Sequence, residues 1–397
     1  MNNALKRPRI LFVTPVSPFS TDSGSEQRSA LMLQALQSVG TVDVLQLCHG
    51  PDTHVSVRQQ KGQNYVLAWL AGANLSLQRY APKPRFTRLV ESAMRQSIAN
   101  YDLVVGRYVW SVCQLLIPEN IPVIVDLDDF KYRWSALAPL TLSSLVIRVK
   151  KTVSGYFMRR QLHRFSAAFF VTPLDRQESP AIHSALLPNV PCLPPKFLLS
   201  PPRANAYNVL FVGSLWYAPN AEGINWFLAH VWPEVVRQMP SATLTLVGAA
   251  PVKTLQAWER HSKVSAPGFV EDLGKAYANA SLVIVPLLSG GGSNIKVLEA
   301  LAFKRPCLVS TFAYSSFRDS LGDGVDVLVA DTADAFIAKI LNGFRNPSGA
   351  ETIAMAGYQS LNLKFGSHGF MNTVASMIDQ TMHAAPVPAQ RPHHHEC

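Results

Sequence analysis

The stretch Leu282–Ala300, LVIVPLLSGGGSNIKVLEA, decides how the fold is read. It opens on a Val- and Ile-rich run without polar alternation, as expected of a strand buried on both faces of a parallel sheet. Gly290, Gly291 and Gly292 follow, then Ser293 and Asn294, then a helix-forming segment over Lys296–Phe303. Glycines let the backbone approach a ligand closely and turn its N–H groups inward, and Ser293 or Asn294 is placed to cap the helix. The helix N-terminus carries a partial positive charge and Lys296 adds a full one, which together suit a diphosphate. Neither a Walker A loop nor a dinucleotide fingerprint has this spacing, which disfavours an ATPase or a dehydrogenase. Glu299, one turn beyond Lys296, can accept from ribose hydroxyls or form an i,i+3 salt bridge with the lysine. Local chemistry alone also fits a plain glycine turn with a solvated lysine.

Outward from this stretch, the same strand-then-helix rhythm fills the chain. Strands are expected at Arg9–Thr14, Val42–Leu47, Asp102–Val105, Pro122–Leu127 and Ala167–Thr172. A second set falls at Asn208–Gly213, Ala242–Gly248, Leu282–Leu287, Cys307–Thr311 and Val325–Ala330. Helices are expected over Gln27–Leu36, Ala221–Met239 and Phe370–Met382. Between the sets, Leu187–Asn205 holds six prolines in 19 residues, which removes backbone donors and reads as a linker. The fold class is therefore α/β with two Rossmann-like doubly wound domains: 5–195, then 206–357, a helical segment 358–382 and a tail 383–397. In the tail, the terminal run His393–His395 is not read as a metal site.

Several stretches resemble the group 1 (family 4) glycosyltransferases. They are Val212–Asn220 (VGSLWYAPN), Trp226-Phe227, Trp232-Pro233-Glu234, Leu246-Val247-Gly248, Pro267–Asp272 (PGFVED) and the GGGSNIKVLEA stretch. Order and spacing match over residues 208–312. Gly24-Ser25-Glu26-Gln27, Val125–Phe130 and Leu187-Pro188-Asn189 match more loosely. The resemblance implies a GT-B fold with two domains facing a cleft and transfer that retains anomeric configuration. It implies a nucleotide-sugar site built from Gly24, Ser25, Gly213, Ser214, Phe269, Val270, Glu271, Gly290, Gly291, Gly292, Ser293, Asn294, Lys296 and Glu299. The nucleotide-diphosphate sugar is a co-substrate, and no other cofactor or metal is expected. This chain departs from the family's E-x7-E pair: Glu299 fits the second glutamate, but Gly291 stands at the first. The family's diphosphate-gripping Arg and Lys would fall near Ser214 and Pro219 or Asn220, where no cation stands. Lys296 is read as their substitute, as in a sub-branch with GGG-x-x-x-KVLEA.

Asp126, Asp128 and Asp129 end the Pro122–Leu127 strand, at the sheet edge where α/β proteins bind ligands. Asp126 and Asp128 have the D-x-D spacing of a metal site, yet a GT-B context favours a catalytic reading in which Asp128 orients the acceptor hydroxyl or takes its proton. An N-cap or a salt bridge to Lys131 or Arg133 is the plainer alternative.

Net charge adds a clue about partners. Residues 1–200 hold 22 Lys and Arg against 12 Asp and Glu, and residues 201–397 hold 14 against 14, so the whole +10 lies in the first half. Within it, 131–164 carries eight Lys or Arg and no acidic residue, which reads as a basic amphipathic helix for an anionic membrane or as a solvated face. No nucleic-acid module accompanies it. Five scattered cysteines encode no disulfide framework, and no apolar run reaches the roughly 18–20 residues of a membrane span. The expectation is a cytoplasmic protein, peripheral at the inner face of the membrane, acting in polysaccharide biosynthesis on a lipid-linked or saccharide acceptor. A catalytically silent nucleotide-sugar scaffold and a sugar-nucleotide epimerase are the alternatives.

Overall fold

The computed structural model describes residues 7–60, 62–71, 80–128, 130–136, 138, 142–179, 182–191 and 207–384. Asp129, most of the Pro-rich linker and the His393–His395 tail lie outside the described residues.

The first domain is built on an eight-stranded sheet. Its strands are β1 (Arg9–Thr14), β2 (Thr41–His49), β3 (His54–Gln60), β4 (Gln63–Leu70), β5 (Leu103–Arg107), β6 (Val123–Leu127), β8 (Ala167–Phe170) and β9 (Ser184–Leu186). They run in the order β3-β4-β2-β1-β5-β6-β8-β9, and all pair in parallel except β3 with β4. The second sheet has six parallel strands: β10 (Asn208–Val212), β11 (Thr243–Val247), β12 (Val264–Gly268), β13 (Leu282–Val285), β15 (Cys307–Ser310) and β16 (Leu328–Ala330), in the order β12-β11-β10-β13-β15-β16. Two short strands, β7 (Arg133–Trp134) and β14 (Ser289–Gly290), pair antiparallel across the domains.

Side-chain alternation explains why these strands carry no polar face. In β1, Leu11 and Val13 enter one core cluster and Ile10 and Phe12 the opposite one. In β10, Val209 and Phe211 face one way and Leu210 and Val212 the other. Each side chain taken from water contributes roughly 1.5–3 kcal/mol, so a strand sandwiched by helices must be apolar on both faces.

Three departures from the sequence reading have physical causes. The β3–β4 hairpin escaped it because edge strand β3 is largely exposed and polar. The helix expected over Ala221–Met239 is two, Ala218–His230 and Trp232–Gln238, because Pro233 cannot donate into a continuous helix. The segment 358–382 is not one unit. Helix Pro347–Lys364 packs Leu361 on the second domain, whereas helix Ser367–His383 returns to the first. There its stripe Phe370, Val374, Met377 and Ile378 meets Leu31, Met32 and Ala35 of helix Gly24–Val39.

A buried ion cluster closes the carboxyl edge of the first sheet. Asp126 in β6 stands in register beside Arg107, the last residue of β5. Arg28 donates to both Asp126 oxygens at 2.5 and 2.8 Å, and Arg107 Nε adds a third bond at 3.1 Å. The remaining guanidinium donors reach the Leu187 carbonyl and Asn189 Oδ1 from Arg28, and the Ser25 carbonyl, Ser29 Oγ and Asp128 Oδ2 from Arg107. Burial pushes the Asp126 carboxyl up, and the two guanidinium groups more than reverse this, holding it below the usual carboxylate range. Its contribution to stability is thus present above about pH 4 and lost in acid. Replacing Asp126 with Asn leaves two buried cations under-compensated, so Asp126→Asn should lower unfolding stability in urea by about 3–5 kcal/mol. A loss below about 1 kcal/mol, the level of an exposed pair, would show that the cluster does not hold the domain.

Candidate active site

The glycine loop is shaped by its backbone and fastened by the other domain. Gly290 (φ +140) and Gly292 (φ +66) adopt conformations that L side chains avoid. Gly290 pairs with Arg133 and Ser289 with Trp134 in the β7–β14 ladder. Ser289 Oγ donates to Glu222 and shares a hydrogen bond with the Tyr132 hydroxyl, and Ser316 Oγ donates to the Gly292 carbonyl. A helix follows over Ile295–Ala302, with Asn294 as its N-cap residue. The capping expected of Ser293 or Asn294 does not occur. The Asn294 amide turns to the Ala313 carbonyl, and Ser293 Oγ accepts from Asn189 of the first domain at 3.0 Å. The first-turn N–H groups therefore keep no side-chain acceptor, the condition under which a helix start binds an anion.

Lys296 runs along the second domain at this helix start. A side chain on Gly213 would meet Lys296 Cε at 3.1 Å and the Asn220 amide at 3.2 Å, so Gly213 makes the channel in which the lysine lies. Asn220 donates to the Ser214 carbonyl at 2.8 Å while its Oδ1 stays buried without a partner. Among the described residues the Lys296 ammonium makes no hydrogen bond and no ion pair within 4 Å, so the i,i+3 bridge to Glu299 is not formed. Burial lowers its pKa to about 8, against the opposing pull of Glu299 and Cys307. Glu299 is itself buried and accepts from Gln27 of the first domain at 3.1 Å. Burial raises its carboxyl above the usual range despite Gln27 and Lys296.

Gly24 and Ser25 open the first-domain helix opposite. A side chain on Gly24 would lie 2.6 Å from Ile295 Cγ2, so this glycine lets two helix N-termini meet across the cleft. The first already has its own cap, a reciprocal box between Ser23 and Glu26; the second is the open one. Asp128 sits at the same junction, with Arg107 on Oδ2 at 2.6 Å and Asn189 on Oδ1 at 3.2 Å. Asp126 is directed inward, and with both oxygens on arginines the D-x-D spacing does not offer two free carboxylates. Phe269, Val270 and Glu271 follow β12 at the carboxyl edge of the second sheet, where Phe269 is 64% exposed.

Residues the sequence reading gave no role complete the site. Arg28 and Arg107 hold the aspartates, while Asn189 and Gln27 carry contacts between domains. A signal for the arginines was present: Arg28 interrupts the apolar stripe of Leu31, Met32 and Ala35, and Arg107 ends the apolar run LVVG. A charge on a buried face is rarely placed without a partner.

Two Rossmann-like domains facing a cleft at their carboxyl edges make this a GT-B protein. Residues 206–346 match the family model of group 1 glycosyl transferases. Its fold is similar to that of sucrose-phosphate synthase from Thermosynechococcus elongatus, 17% identical, over 94% of this chain and 99% of the other with a TM-score of 0.68. HepE from Anabaena, solved with UDP and glucose, is 13% identical over 94% and 100% with a TM-score of 0.61. A trehalose-6-phosphate protein from E. coli, solved with UDP-2-fluoro glucose, is 11% identical over 96% and 100% with a TM-score of 0.64. An uncharacterized 44.6 kDa protein in the cps region of Klebsiella pneumoniae is 26% identical over 176 residues, 42% of this chain and 45% of that protein. The chain thus matches under half of this relative's length.

With the pKa of Lys296 lowered, any diphosphate held by this ammonium would bind in a pH-dependent way. The lysine charge is present below about pH 8 and lost above it, so calorimetric affinity for UDP should fall as pH rises through that value while affinity for uridine stays level. A parallel fall for both ligands would remove Lys296 as the titrating group.

Proposed function

We propose that the chain transfers a sugar from a nucleotide-diphosphate sugar to a saccharide or lipid-linked acceptor with retention of anomeric configuration. The observation that carries this reading is the Lys296 ammonium, without a hydrogen bond or ion pair among the described residues, beside an uncapped helix start and a left-handed glycine loop. As the bond between the anomeric carbon and the diphosphate breaks, negative charge grows on the departing phosphate. Lys296 and the first-turn N–H groups meet that charge without reorganising, which is how a fixed electrostatic site lowers a barrier. Glu299 accepts from the ribose. The less tightly held Asp128 oxygen orients the acceptor hydroxyl, and Asp126 acts only through Arg107 and Arg28 by positioning. Retention rests on the likeness of the glycine loop to that of retaining family members.

UDP is the first donor nucleotide to test, since HepE and the E. coli protein were solved with UDP or a UDP-sugar. The cps-region relative supports a polysaccharide or its lipid-linked precursor as acceptor. The free cysteines Cys48, Cys113 and Cys307 suit the reducing, cytoplasmic side of the membrane.

Lys296→Ala should weaken UDP binding about 10- to 100-fold, the size of a hydrogen-bonded charge contact, and leave uridine binding unchanged. Equal losses for the two ligands would mean that the lysine acts through folding and would overturn its role as the diphosphate cation.

A further inference from the structure

The helix Leu142–Gln161 has two faces of different character. Its inner face, through Lys151, Ser154, Gly155 and Met158, walls a cavity of about 380 Å³ whose other walls include the rings of Tyr80, Tyr108, Trp110, Phe130 and Tyr132. Its outer face carries Leu145, Val149, Val153 and Tyr156, spaced i, i+4, i+8 and i+11, with Val146 beside them. All five are between 42% and 58% exposed, an unbroken apolar stripe along a helix about 30 Å long.

The basic residues divide between these faces. Arg148 lies over the Trp134 ring and Arg159 over Phe130, and Lys151 lies over Tyr132. Nearby, Lys131 and Arg133 pair with Glu178, and Arg133 also with Asp175. Lys150 and Arg160 are left beside the apolar stripe, Arg160 stacked on Tyr156. The sequence reading gave membrane attachment to all of these charges together. The structure leaves few of them free for it and adds apolar area in their place.

We propose that the outer face of this helix seats in the interface of a bilayer that contains anionic lipid. Leu145, Val149, Val153 and Tyr156 enter the boundary of the acyl chains, and Lys150 and Arg160 contact the headgroups. Three features select this occupant. An exposed stripe of large apolar side chains on a helix without acidic residues is the pattern of an interfacial helix. No Asp or Glu occurs in 131–164 to repel anionic headgroups. A second copy docked face to face would set Lys150 and Arg160 against their own counterparts. Seated this way, the helix keeps the aromatic cavity directly behind the docked face, which suits an acceptor that is itself lipid-linked; that benefit rests on the transfer proposed above, whereas the docking does not.

Co-sedimentation of the full chain with vesicles of phosphatidylcholine and phosphatidylglycerol tests the docking, with phosphatidylcholine alone as the comparison. The chain should bind the mixed vesicles, and high salt should release only part of it, because screening acts on Lys150 and Arg160 and not on the stripe. The Val149→Gln, Val153→Gln double variant, changed only at exposed positions, should retain its melting temperature and its UDP affinity while its vesicle partition falls about tenfold. Equal binding by the variant, or no binding by the unaltered chain, overturns the proposal. So does self-association abolished by the variant in the absence of vesicle binding, which would give the face to a second copy. UDP binding measured in solution separates this outcome from failure of the glycosyl-transfer reading, since either can fail alone.

Discussion

The bidentate hold of Arg28 on Asp126, backed by Arg107, is the contact on which the rest of the cleft depends. Three charges without solvent exposure are costly to bury, and they are tolerated only because nearly every donor and acceptor among them is used. Through those bonds one carboxylate fixes the ends of β5 and β6, the first helix, and the Leu187–Asn189 segment. Arg107 then carries the restraint to Asp128, and Asn189 carries it from Asp128 to Ser293 in the second domain. The position of the glycine loop relative to the first domain is thus set by a chain of hydrogen bonds that starts in the core.

On the other side of the cleft the design is the reverse. The start of helix Ile295–Ala302 is polar and, among the described residues, partly unsatisfied: an open helix start, a lysine without a hydrogen bond or ion pair, and a buried Asn220 oxygen beside its channel. The resemblance places two cations near Ser214 and Pro219 or Asn220, where this chain has none, and the small Gly213 leaves room for Lys296 from helix Ile295–Ala302. Burial lowers the pKa of that lysine, so a bound anion gains more from it than from a solvated cation. The same low polarity raises the Glu299 carboxyl, which accepts from Gln27.

Much of this was legible in the sequence, for a definite reason. Strands buried on both faces must be apolar throughout, and β1, β10, β13 and β15 stand out for that reason alone. The glycine loop, Lys296 and Glu299 are neighbours along the chain, so local spacing was enough to bring them together. What escaped were features made by distant segments. Strand β3 is polar because it lies at an edge, and the return of helix Ser367–His383 to the first domain depends on a partner stripe more than 300 residues earlier. Gln27 and Asn189 are ordinary polar residues until the two domains face each other. Arg28 and Arg107 were marked by their apolar surroundings, but only the fold shows that they share Asp126.

The central claim is that the diphosphate of a sugar nucleotide is held at the start of helix Ile295–Ala302 by Lys296 and backbone N–H groups. A crystal structure with UDP bound tests it most directly. The account predicts phosphate oxygens within hydrogen-bonding distance of Lys296 Nζ and of the Asn294–Lys296 backbone. A diphosphate lodged elsewhere in the cleft, with the lysine still unpartnered, would contradict it.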